Sequence, residues 1–139
     1  MPYRLLEHTA DALFEVEAKS LEALFIDAAK ALTDIQVDIN KVEKKEEYSI
    51  KLENKNIEGL LFDWLSELIF VKDAKQLIFS DFNVGIKKED NVYKLEAICY
   101  GEKIKPSHEQ KADAKAITMH EFKVWQQDGL WKARVLVDV

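Results

Sequence analysis

Two apolar runs near the end of the chain, residues 115–126 and 130–138, are separated by Asp128-Gly129. Asp-Gly between alternating runs is a strong two-residue hairpin signal, because both turn positions need a left-handed backbone. A regular register from that turn sets Gln127 against Leu130, Val124 against Ala133, Phe122 against Val135 and His120 against Val137. Ala116, Thr118, His120, Phe122, Val124, Trp131, Ala133, Val135 and Val137 then share an apolar face. Lys115, Ile117, Met119, Glu121, Lys123, Lys132, Arg134, Leu136 and Asp138 share the opposite one. A one-residue slip would bury the charged set, so the pattern specifies the register. Met119 faces Asp138 in this register. Lys115 then lies four residues along the strand, about 13 Å away.

Upstream, residues 3–7 and Ala12–Ala18 read as strands, the second with Ala12, Phe14, Val16 and Ala18 on one face. Ser20 caps a helix over 21–34, where Leu21, Leu24, Phe25, Ala28, Leu32 and Ile35 recur at helical spacing. Tyr48, Ile50 and Leu52 alternate as a strand does. Asn56 opens a second helix with a wide stripe of Ile57, Leu60, Leu61, Trp64, Leu65, Leu68 and Ile69. Residues 76–87 and 92–103 form a strand pair around an Asp90-Asn91 turn. Strands outnumber helices and do not strictly alternate with them. The expected fold is α+β, a largely antiparallel or mixed sheet with two amphipathic helices and a C-terminal hairpin.

A chain of 139 residues with 4 Gly and 2 Pro has no linker composition, so residues 1–139 are expected to form one domain. A net charge of −6 argues against a sequence-independent grip on nucleic acid, which needs clustered Lys and Arg. Cys99 is the single cysteine; it excludes an internal disulfide and thiolate zinc sites, and suits a reducing compartment. No apolar run approaches the ~20 residues that span a bilayer, and the N-terminus is too polar for a signal peptide, so a cytoplasmic location is expected.

The chemistry-bearing residues gather at the two ends. The last strand runs into Asp138 and Val139, and His8-Thr9-Ala10-Asp11 interrupts the first strands. If the ends meet, Asp11, Asp138 and the Val139 carboxyl converge and repel one another unless a cation compensates them. They could hold a hard cation through oxygen ligands; equally, Asp11 could cap a turn and Asp138 end a solvated strand. His8 reads as a turn residue, His108 lies in the polar loop 105–113, and His120 reads as a structural core histidine. No phosphate-binding glycine loop, nucleophile elbow or paired-histidine metal spacing occurs. Cys99 sits mid-strand with no cationic neighbour and reads as structural. Lys115 shares the face of Asp138, as a solvated lysine or as a contact to a partner or anion.

Four blocks carry a resemblance over the whole length. They are His8-Thr9-Ala10-Asp11, the helical stretch Leu60–Leu68, Gly101-Glu102 with His108, and Lys115-Ala116-Ile117-Thr118-Met119-His120 leading to Val137-Asp138-Val139. In their order and spacing they resemble the archease family. That resemblance implies an accessory protein without stand-alone catalysis. It would activate the GTP-dependent RNA-splicing ligase that joins 2′,3′-cyclic-phosphate or 3′-phosphate ends to 5′-hydroxyl ends, promoting guanylylation of the ligase histidine and repeated turnover. RNA, tRNA included, would be reached only through the ligase, and no membrane is involved. The resemblance implies a divalent-cation site at Asp11, Asp138 and Val139, with Ca²⁺ first and Mg²⁺ or Mn²⁺ as alternatives, and functional roles for Asp11, Lys115 and Asp138. Asp38 ranks below these. The family often ends in Asp-Ile where this chain has Asp138-Val139, and Met119 replaces an aromatic residue. A chaperone or modulator of RNA-modifying enzymes, such as an RNA methyltransferase, is the alternative; a small metal-dependent hydrolase lacks a positioned base or nucleophile.

Overall fold

A computed structural model describes residues 3–6 and 11–139. In chain order the elements are β1 (Tyr3–Leu6), β2 (Asp11–Ala18), α1 (Leu21–Gln36), β3 (Glu46–Asn54), α2 (Ile57–Lys75), β4 (Leu77–Glu89), β5 (Val92–Lys103), β6 (Ala116–Gln127) and β7 (Leu130–Asp138). Single 3₁₀ turns occupy Ile39–Lys41 and Pro106–His108. The strands form two antiparallel sheets, ordered β1-β2-β7-β6 and β3-β5-β4. The α+β expectation is met, with two sheets rather than one.

Both helices start where the side chains dictate. Ser20 Oγ accepts the Ala23 N–H at 3.1 Å, and Asn56 Oδ1 accepts the Gly59 N–H at 2.6 Å, each satisfying a donor that the helix itself leaves unpaired. Each helix touches both sheets, and one apolar cluster joins Phe14, Val16, Val135 and Val137 of the first sheet to Ile50, Phe82, Leu95 and Cys99 of the second. Trp64 of α2 sits at its centre. It is fully buried, donates its indole N–H to Phe25 O of α1 at 3.0 Å, and meets the Phe82 ring edge-on at 5.9 Å.

The turns behave as read. Asp128 and Gly129 have φ of 54° and 77°, and Asp90 and Asn91 have 52° and 63°, the left-handed pair that a tight hairpin requires. Gly101 meets a different demand. It lies on β5 beside the irregularity that β4 makes between Phe79 and Asp81, and a Cβ there would stand 1.9 Å from Ile78 O and 2.6 Å from Phe79 Cα. Both are backbone atoms, so the clash cannot be relieved by a rotamer change. Gly101→Ala is expected to cost about 3 kcal/mol of stability, read as a lowered urea midpoint with unchanged slope.

The C-terminal hairpin departs from the regular register. Gln127↔Leu130 to Lys123↔Arg134 pair as expected, but beyond Thr118 the pairs are Thr118↔Leu136, Ile117↔Val137 and Ala116↔Asp138. Four residues, Met119 to Phe122, lie against the single residue Val135, and Glu121 adopts φ 58°. The excursion shifts the pairing by an odd number of residues, so it exchanges the two faces. Ile117 is therefore the core residue, while Ala116 and His120 are exposed and Thr118 half-buried. His120 is not a core histidine. The physical reason is that Ile117 and Phe122 have opposite parity and both need burial. Phe122 packs edge-on against Phe62 of α2 at 5.8 Å, and only an irregular strand serves both.

Candidate functional site

The pairing of β2 with β7 sets Asp11 directly opposite Asp138. On the other flank of β7, Ala116 opposes Asp138, and the Lys115 N–H donates to Asp138 O at 2.7 Å. The regular register would have kept Lys115 about 13 Å from Asp138; the shifted one makes them neighbours through the main chain. Asp11, Asp138 and Lys115 thus meet at one end of the four-stranded sheet. Asp138 and Lys115 are exposed, Asp11 is partly exposed, and Val139 packs against the edge of the core. His8, Thr9 and Ala10 lie outside the described residues.

Asp11 and Asp138 are direct partners in the register, so they share one face of the paired strands and two carboxylates can address one ligand. The donor set is all hard oxygen, which suits Ca²⁺ or Mg²⁺. Among the described residues, no group of three or more His, Cys, Asp or Glu is placed to hold a metal ion.

The loop that leads to Lys115 is tied down by a buried polar pair. His108 is fully buried; its Nδ1 accepts the Lys105 N–H at 3.2 Å, so its Nε2 carries the proton and donates to Glu102 Oε2 at 2.9 Å. Glu102 also accepts the Glu43 N–H at 2.7 Å and pairs with Lys105 Nζ at 3.0 Å. Burial by itself would raise the Glu102 carboxyl, but the Glu43 amide, His108 and Lys105 outweigh it and hold the group at about 2. His108 O in turn accepts the Asp38 N–H at 2.9 Å, and Lys111 N–H donates to Gln36 O at 2.8 Å. The polar run 105–113 is therefore fastened to the body at several points.

A carboxyl depressed from 4.5 to about 2 has a definite pH signature. The unfolded chain binds the proton more readily, so the contribution of Glu102 is fully present above about 4.5 and is lost as pH falls towards 2. The loss should be on the order of 2 kcal/mol, after discounting for the part-exposed Lys105 partner. Urea midpoints measured across pH 2–5 should fall steeply in the native chain, and Glu102→Gln should flatten that window.

The other candidates take structural places. Asp38 Oδ1 accepts the Asn40 N–H at 3.1 Å and caps the 3₁₀ turn after α1. Cys99 is buried, and burial pushes its thiol up to about 12, which makes it unreactive. The Glu102–His108 pair is what residue-by-residue reading missed, since His108 stood in a run of polar residues that looked solvated. Among the described residues, no helix is long and apolar enough to cross a membrane.

The comparisons with known proteins agree with one another. Residues 3–139 match the model of the Archease protein family (MTH1598/TM1083). The protein archease of Pyrococcus abyssi is 44% identical over 135 residues, 96% of this chain and 95% of that protein. Its counterpart in Methanopyrus kandleri is 40% identical over 140 residues, with both chains covered in full. The solution structure of Methanobacterium thermoautotrophicum protein 1598 superposes with a TM-score of 0.89 at 36% identity, covering 99% of each chain. A crystal structure from Thermotoga maritima, described as an archease and possible chaperone, gives 0.65 at 25% identity and covers 96% of this chain and 94% of that one. With sequence, family pattern and two-sheet fold matched from end to end, the chain belongs to the archease family.

Proposed function

We propose that this protein activates a GTP-dependent RNA-splicing ligase, promoting guanylylation of the ligase histidine and repeated turnover. The observation that supports this reading is the exposed end of the four-stranded sheet, where Asp11 opposes Asp138 and Lys115 is bonded to Asp138 O. Such a tip can present two carboxylates and an ammonium to another protein's active site. A net charge of −6 favours docking on a protein over gripping RNA. A divalent cation, Ca²⁺ first and Mg²⁺ or Mn²⁺ otherwise, would be held by Asp11, Asp138 and the Val139 carboxyl, and would supply positive charge against nucleotide phosphate. Lys115 adds a compact, mobile ammonium to the same end. The two Asp side chains orient what binds between them, and the sheet keeps them at fixed spacing. A cytoplasmic location follows from that partner.

Two experiments test the reading. Calcium titration followed by calorimetry should show binding to the native chain. Asp138→Asn, or one residue added after Val139, should weaken it on the order of 10-fold or more; equal affinity in all three would remove the cation from the account. A pull-down should retain the ligase, and added protein should raise its guanylylated fraction. The description of the Thermotoga relative as a possible chaperone keeps a second reading in view. Stimulation of an RNA methyltransferase with no effect on the ligase would favour it.

A further inference from the structure

We propose that Lys72 of α2 is a positioning residue for the Lys115–Asp138 end of the sheet. Lys72 is 7% exposed, and its Nζ donates to Asp113 Oδ1 at 2.7 Å and to Ala114 O at 2.6 Å, with Asp73 Oδ1 at 3.5 Å. A buried ammonium is costly unless paired, and this one has two hydrogen-bond acceptors with the Asp73 carboxylate as a longer ion pair. Both hydrogen-bond acceptors belong to the segment that delivers Lys115. The arrangement at Ala114 is the informative part. Its carbonyl and the Lys115 N–H belong to one planar peptide unit, with the two groups pointing in opposite directions. Lys72 holds the oxygen of that unit, and Asp138 O receives its N–H at 2.7 Å. One rigid plane is therefore gripped from both ends, by a helix in the core on one side and by the functional strand on the other. A charged donor on the carbonyl also polarises the same unit and strengthens its N–H as a donor. Ala114 is fully buried with Lys72 in place, so its carbonyl is held by the ammonium rather than by bulk water. Lys72 thereby fixes where Lys115 leaves the core and how Asp138 is set against Asp11.

This inference rests on the proposed ligase role only for its activity readout. Its direct test is amide hydrogen exchange by NMR on the full chain, comparing native protein with Lys72→Met, Lys72→Arg and Asp113→Ala. In Lys72→Met the Lys115 amide should exchange on the order of 30-fold faster relative to Ile50 and Ala97. Lys72→Arg, which keeps charged donors, should hold that ratio at its native value. Asp113→Ala removes an exposed partner and leaves the Ala114 contact, so it should give a smaller change in the same direction, about threefold. That variant decides the matter if Lys72→Met does not fold. A Lys115 amide that stays protected, or that loosens only in step with Ile50 and Ala97, overturns the proposal. With ligase present, Lys72→Met should lower maximal stimulation on the order of 10-fold while the half-saturating concentration stays within about threefold. A raised half-saturating concentration with full maximal stimulation also overturns it. The exchange arm uses no ligase, so its failure is distinct from failure of the ligase reading.

Discussion

Trp64→Ala is expected to lower the unfolding free energy by about 4 kcal/mol, the range for removing a large aromatic side chain from a packed core. Trp64 is fully buried, bridges α1 through its bond to Phe25 O, and meets Phe82 of the second sheet. Its loss opens a cavity where both helices and a sheet converge, so no single element can move in to fill it. Against the ~5–15 kcal/mol that holds a domain of this kind together, such a loss is large. The melting temperature should fall by on the order of 10 °C or more. Trp64→Phe keeps a ring against Phe82 but gives up the indole donor and some volume, and should cost about half as much. Thermal and urea unfolding of the two variants measure both values.

The second large effect concerns function rather than stability. Asp138→Ala removes one of two carboxylates that face each other across β2 and β7. The side chain is exposed and fills no cavity, so folding stability should stay within ~0.5 kcal/mol of the native value. The Lys115 N–H bond is made to the main-chain oxygen of Asp138 and survives the substitution. Ligase stimulation, by contrast, should fall on the order of 100-fold, with Asp11→Ala behaving alike in the activity assay. A substitution that spares the fold while silencing activity marks a side chain kept for function rather than for stability. Unfolding curves and stimulation assays on the same preparations separate the two effects.

Much of this architecture is legible in the sequence because its signals are local. Ser20 and Asn56 mark helix starts, Asp90-Asn91 and Asp128-Gly129 mark hairpin turns, and the apolar spacing of α1 and α2 gives their buried faces. The misreading of β6 has an equally local cause. A regular two-residue period was carried back from Asp128-Gly129 through Met119–Phe122, where the strand makes an excursion and Glu121 turns left-handed. Ile117, an apolar β-branched residue stranded on a charged face, was the sign that the period could not hold throughout. That error displaced Lys115 from Asp138 and put His120 in the core. The meeting of Asp11 with Asp138 could be expected only conditionally. Strand order β1-β2-β7-β6 joins the two ends of the chain, and such a pairing leaves no short-range pattern. The buried Glu102–His108 pair and the buried Lys72 escaped for a related reason. A polar residue shows its burial only through partners that are distant in sequence.

The central claim is that the converged carboxylates at the end of the first sheet activate a ligase. It is tested most directly by the single-turnover rate of histidine guanylylation in the purified ligase. Native protein and the charge-removed pair Asp11→Asn with Asp138→Asn would be compared at saturating concentration. The account predicts a clear acceleration by native protein and none by the double variant, although both fold. Equal acceleration by the two, or none by either, would contradict it.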